Sequence, residues 1–210
     1  LEFRRVLFRS GLALDSRQIQ PGALFLAVRG SAGHGLVHAQ AAIDRGAIAV
    51  VWEPAEGVAA PQLSVPAIAV ANHGESGETY RDSLSRRRLD KILSVMQPGD
   101  WLLMQFGHND NGALNDEPPG PLRARGTIRG TGDETREIDN VLTKQHEVVH
   151  TYGWYFRKMI AEAKAKGMQP IVISSTVRNL WKDGRIERGP GKYREWAYDI
   201  ARDAAVPFID

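Results

Sequence analysis

The 210-residue chain contains no cysteine, which excludes disulfides and thiolate metal sites. No apolar run approaches the roughly eighteen residues that a membrane-spanning helix needs, so no membrane partner is expected. There is little excess of charge either. The formal +2 comes from the first ten residues, Leu-Glu-Phe-Arg-Arg-Val-Leu-Phe-Arg-Ser, which hold three of the 27 basic and one of the 25 acidic side chains and leave 24 of each sign. A balanced remainder gives no reason to expect nucleic acid as a partner. A Gly-x-x-x-x-Gly-Lys-[Ser/Thr] phosphate loop is also missing, so ATP is not bound by that device, and no cofactor or metal is expected.

A hydrophobic fraction of 42% is ordinary for a globular protein, and the length suits one sizeable α/β domain or two small ones. Short apolar strands alternate with helices. Ala23 to Val28, Ala47 to Trp52 and Val65 to Ala71 read as strands, with a helix from Val37 to Arg45 that Gly46 stops. Further on, Tyr80 to Met96 carries a helical stripe through Leu84, Leu89, Ile92, Leu93 and Met96, around a basic patch, Arg86-Arg87-Arg88, that reads as a solvated face. Thr151 to Lys166 is the clearest helix, Pro170 to Ser175 a strand, Tyr193 to Ala204 a last helix and Val206 to Asp210 a last strand. Asn111 to Asn140, rich in Gly and Pro, has no periodicity and reads as a functional loop.

The most informative stretch is Trp101 to Asp110. An apolar run after the turn Pro98-Gly99-Asp100 predicts a buried strand of a parallel sheet, and polar residues begin at once beyond Gly107. The carboxyl end of a strand is where open α/β sheets bind ligands, which would present His108, Asn109 and Asp110 to a cleft. The Asn109 amide could hold a developing oxyanion; a polar turn capping the next helix is the plainer alternative.

Gly107-His108-Asn109-Asp110 resembles the third block of the SGNH (GDSL) hydrolases, and the surrounding text resembles their rhamnogalacturonan acetylesterase-like branch. The matching stretches run in family order: Asn72 to Thr79, Asp90 to Leu93, Pro98 to Asp100, Gly132 to Glu137, His150 to Tyr155, Arg178-Asn179 and Val206 to Asp210. The resemblance implies a flavodoxin-like three-layer parallel sheet over residues 72–210 and an ester of carbohydrate as substrate. It assigns Asn109 and Gly77 to the oxyanion hole. The family's Gly-Asp-Ser nucleophile block occurs nowhere in the sequence, and its Asp-x-x-His block would follow Asp210, so residues 72–210 are expected to lack the first and last catalytic blocks, with little or no esterase activity.

Residues 11–71 resemble instead the N-terminal, UDP-binding domain of the Mur ligases, specifically the UDP-N-acetylmuramoyl-tripeptide synthetases, through Leu14-Asp15-Ser16-Arg17, Pro21 to Phe25, Gly30, His34-Gly35 and Arg45-Gly46-Ala47. This implies a small α/β segment in which Ser16 and Arg17 approach a UDP-sugar diphosphate and His34 lies near the uridine; a hydroxyl and a guanidinium are groups that take phosphate oxygens. Without the resemblance, Asp15 reads as a turn cap and His34 as a loop histidine. Residues 1–10 resemble the in-frame translation of a sequencing adapter. Two families meeting near residues 66–72 suggest a joined reading frame, for which no activity at all is a further expectation.

Some residues invite a role that their context disfavours. His150 at a helix start is expected to be structural rather than a catalytic base, and the aromatic start Tyr152, Trp154, Tyr155 to be core rather than a sugar platform. Asp133, Glu134 and Arg136 are expected to be mainly paired surface charges.

Overall fold

A computed structural model describes residues 11–31, 33–116, 119–176, 180–186 and 192–210. The adapter-like residues 1–10 and the Arg178-Asn179 match lie outside the described residues. The chain divides into two compact units, residues 1–73 and 74–210.

In the first unit, β1 (Leu12–Ala13), β2 (Leu24–Ala27), β5 (Ala49–Trp52) and β6 (Ala67–Ala69) form a parallel sheet in the order β1-β2-β5-β6. A two-residue-per-strand hairpin, β3 (Arg29–Gly30) with β4 (Gly33–His34), leads through a 3-10 turn into α1 (Ala39–Asp44). Phe25, Ala27, Val50 and Trp52 on the sheet meet Ala39 and Ala42 on the helix, so small residues let the helix lie close to the strands. Gly46 ends the helical segment at φ 98°, and a Cβ there would sit 2.9 Å from Pro21 Cα, so both the turn and the close approach require glycine.

The second unit holds α2 (Tyr80–Ser85), α3 (Arg88–Val95), β7 (Trp101–Met104), β8 (Thr135–Asp139), β9 (His146–His150), α4 (Tyr152–Ala165), β10 (Gln169–Ile173), β11 (Trp181–Lys182), β12 (Arg185–Ile186), α5 (Tyr193–Asp203) and β13 (Phe208–Ile209). Its parallel sheet runs β13-β10-β7, in a register that sets Leu102 beside Pro170 and Val172 beside Phe208. Two crossovers in the same direction, each right-handed by rule, place α4 and α5 on one face. The core lies on that face: Leu102, Met104 and Val172 pack against Phe156, Ile160, Ala197 and Ile200. Trp101 (41% exposed) and Leu103 (55%) turn the other way. The parallel α/β organisation is the expected one, but β7 is buried on one face only, where its uninterrupted apolar run predicts two.

Three local details depart from the sequence reading. The single helix expected from Tyr80 to Met96 is two helices, because Arg87 adopts a left-handed conformation at φ 54°. The stretch 111–140 is not all loop. It contributes β8, which pairs antiparallel with β9, and each of the two strands buries a single apolar side chain, Ile138 or Val149. The β11–β12 hairpin is short, with all four residues exposed, and carried no periodic signal. Among the described residues no helix is long and apolar enough to cross a membrane.

Candidate active site

Beyond β7 the backbone turns at Gly107, where φ is 131° and an added Cβ would lie 2.8 Å from Ser175 Oγ and 3.2 Å from Tyr193 Cβ. Only glycine fits both the conformation and the gap. The turn delivers Asp110 inward, fully buried, and there its carboxylate accepts the N–H of Gly107 at 3.1 Å and that of Tyr80 at 3.2 Å. Burial pushes Asp110 up from 3.8 to about 7, against the opposing pull of those backbone donors. One carboxyl group thus ties the end of β7 to the start of α2.

Asn109 makes a second tie. Its Nδ2 donates to Glu78 O at 3.0 Å, which lays the side chain against the residue that follows Gly77. Gly77 itself has φ 84°, and its carbonyl accepts from Arg125 at 2.9 Å. Thr79 completes the fastening: its hydroxyl donates to Arg125 O at 2.7 Å and accepts from Asp82 N–H at 3.1 Å, capping α2. The structure therefore brings the loops of Gly77 and Asn109 side by side. The amide of Asn109 has one N–H committed to Glu78 and a second that is not, and the Gly77 N–H has no partner among the described residues. Two such donors on rigid loops are suited to a developing oxyanion.

Around this clasp lies an aromatic cluster. Tyr80 stacks on Phe106 with ring centroids 4.0 Å apart, Tyr152 meets Tyr193 edge-on at 5.0 Å, and Tyr152 donates to Phe106 O at 3.4 Å. Burial raises the Tyr80 and Tyr152 phenols well above their ordinary value, so both stay neutral. Arg81, 2% exposed, was not singled out in the sequence. It forks onto Glu147 with two bonds of 2.6 Å and donates to Leu114 O and Gly126 O, anchoring the irregular segment to α2. No sequence signal marks it, since a charged residue in the first turn of a helix is ordinarily solvated.

The other groups considered from sequence serve structural ends. Ser175 donates its hydroxyl to Phe106 O at 2.6 Å, and His108 Nε2 bonds Thr176 O. The His150 ring stacks on Trp154 at 3.6 Å and lies edge-on to Tyr155, and burial lowers its basicity. Tyr152 and Tyr155 are core residues, and Trp154 packs against the same cluster. Asp133 pairs with Arg157 at the surface. Among the described residues no group of His, Asp and Glu is arranged to hold a metal ion.

In the first unit, Asp15 caps the 3-10 turn Ser16–Gln18 and takes the Arg17 guanidinium at 2.9 and 2.7 Å, which holds its carboxyl down at about 2. Arg17 is thus bonded to its neighbour rather than extended toward a ligand. His34 is fixed through both nitrogens, Nδ1 accepting from Leu36 N–H at 3.1 Å and Nε2 meeting Glu53 O at 2.8 Å. Ser16 keeps a hydroxyl with no partner among the described residues.

Comparison with known proteins finds both resemblances in the one chain. Residues 10–109 match the model of the Mur ligase family, catalytic domain. A UDP-N-acetylmuramoyl-L-alanyl-D-glutamate–2,6-diaminopimelate ligase of Alkalilimnicola ehrlichii is 42% identical over 92 residues, 38% of this chain and 18% of its own. A rhamnogalacturonan acetylesterase of Emericella nidulans is 29% identical over 143 residues, 68% of this chain and 56% of its own. Among solved structures, a Bacillus subtilis protein superposes at a TM-score of 0.43 and 20% identity, covering 70% of this chain and 32% of its own. The chain spans about half the length of the esterase relative and under a fifth of the ligase.

Proposed function

We propose that residues 74–210 are the oxyanion-holding part of an esterase of the SGNH type that acts on acetylated carbohydrate. The clasp between the Gly77 and Asn109 loops carries this reading, because nothing in a merely structural turn requires an asparagine amide bonded to Glu78 O at 3.0 Å beside a glycine with a free N–H. When an ester carbonyl is attacked, its oxygen gains negative charge, and the free N–H of Gly77 and of the Asn109 amide are donors that can take it. The esterase relatives support a sugar ester as the ligand.

The attacking group is another matter. The 210 residues contain no Gly-Asp-Ser block, and the Ser175 hydroxyl at the cleft end of β10 is committed to Phe106 O. Turnover therefore rests on oxyanion stabilisation and binding alone, which is a small residue of full triad catalysis. Purified protein incubated with 4-nitrophenyl acetate is expected to give only a slow acceleration over buffer, which Asn109→Ala removes. Turnover that survives Asn109→Ala overturns the assignment.

A second reading concerns residues 11–73. The ligase relatives and the free Ser16 hydroxyl support a UDP-sugar site there, with Arg17 released from Asp15 when a diphosphate competes for it. Calorimetry with a UDP-N-acetylmuramoyl peptide is expected to give heat that Ser16→Ala diminishes, and absence of heat at millimolar ligand removes this reading.

A further inference from the structure

Beside the clasp, with which it shares Arg125 and Asp82, the second unit has a cavity of about 370 Å³ lined by three arginines, Arg86, Arg123 and Arg125, with Asp82, Leu122, Ala124 and Leu142. The three cations are not balanced from within. Among the described residues Asp82 is the only acid in the wall, and its Oδ2 lies 3.1 Å from the Thr79 hydroxyl, whose proton goes to Arg125 O. Arg86 has an outer counterion, Glu78 at 3.2 Å, while Arg125 spends one N–H on a backbone carbonyl. Arg123 has no side-chain partner among the described residues, although its backbone is fixed by a two-way bridge to Asp116 at 2.7 and 3.3 Å. An arginine with a fixed backbone and an unpaired side chain, in the wall of a cavity that two further arginines line, leaves a positive charge for an anion to take. The planar fork of each arginine matches the oxygens of a carboxylate or a phosphate. Leu122 and Leu142 stand exposed at the rim, where they can cover the apolar part of an organic ligand.

We propose that this cavity is a binding site for a small organic oxyanion, a carboxylate or a phosphate monoester, with Arg123 as its principal contact. The site is independent of the esterase reading and requires no turnover to be seen.

The test is calorimetric titration of the whole chain at low salt with benzoate and with phenyl phosphate, using benzyl alcohol as the neutral control. Benzoate or phenyl phosphate is expected to bind with a millimolar dissociation constant that weakens as salt is added, while benzyl alcohol does not bind. Heat from one anion only upholds the site and identifies which oxyanion it takes. Arg123→Gln is expected to weaken binding about tenfold, and Arg86→Gln to weaken it less, because its charge is shared with Glu78. Arg194→Gln, whose side chain pairs with Asp210, leaves binding unchanged. Arg123 is solvent-exposed, so its substitution leaves the melting curve in place. The proposal is overturned if neither anion gives heat at roughly 10 mM, or if Arg123→Gln and Arg86→Gln both bind as tightly as the parent.

Discussion

The two units treat their polar residues in opposite ways. In residues 11–73 the groups that resemble a nucleotide-sugar site are bonded at shorter range: Arg17 to Asp15 and His34 to Leu36, each two positions away, and His34 to the Glu53 carbonyl nineteen away. In residues 74–210 the polar groups near Asn109 reach across 30 to 66 positions, Asp110 to Tyr80, Asn109 to Glu78 and Arg81 to Glu147, and several of them are buried. A local, exposed contact can be exchanged for water or ligand at little expense, whereas a buried polar group that loses its partner is left desolvated and unpaired. The first arrangement is adaptable and the second is rigid, which is the property an oxyanion site needs and a first-contact site does not.

The comparison is sharpest at Arg81. Arg81→Ala is expected to destabilise the second unit by about 3–5 kcal/mol, because Glu147 and two backbone carbonyls lose a buried partner together. Chemical denaturation followed by tyrosine and tryptophan fluorescence measures it, and a loss under about 1 kcal/mol would mean the network is ornamental. Glu147 is pushed up by burial, but the bonds from Arg81 and Asn140 outweigh this and hold it below its usual range, so Glu147→Gln is expected to be milder.

Asp110 gives the next largest effect, and its sign is opposite to that of a salt-bridged acid. Its folded value near 7 stands above its ordinary 3.8, so the folded state binds the proton more tightly. The stability this contributes is fully present below 3.8 and is lost as pH rises through 7, about 4 kcal/mol over the window. The acid and phenol groups that bear on it, Asp82, Tyr80, Tyr152 and Tyr193, do not reverse this, because the three phenols stay neutral there. Comparing the parent with Asp110→Asn at pH 4, 5.5 and 7 isolates it: the parent loses stability relative to the variant as pH rises, and parallel curves would show that Asp110 is ionised throughout.

Much of this could be read from the sequence where apolar pattern and turn chemistry agree. Trp101 to Asp110 announced both a parallel strand and a polar turn at its carboxyl end, and the helix from Thr151 was the clearest of those expected. The break at Arg87 was hidden because no glycine or proline marks it. Strands β8 and β9 were hidden because one inward apolar residue each leaves too little alternation to see. Asp110, expected to face a cleft, is turned inward and buried instead, and Arg81 was not marked at all, both for another reason. Their importance lies in partners 30 or more positions away, and spacing along a chain carries no information about which carbonyls a buried guanidinium will meet.

Two smaller effects test the contrast from its two ends. Gly107→Ala forces a side chain into φ 131° and within 2.8 Å of Ser175 Oγ, so it is expected to cost about 1–3 kcal/mol and to blunt any residual ester turnover with it. Asp15→Asn in the first unit removes the ion pair with Arg17 but keeps a capping oxygen for the Arg17 N–H, so the melting temperature is expected to stay where it is. If local contacts there are as exchangeable as their exposure implies, the same variant frees the guanidinium and tightens any UDP-sugar binding. A weakened affinity instead would mean that Asp15 holds Arg17 in the posture a diphosphate needs, and that rigidity belongs to both units.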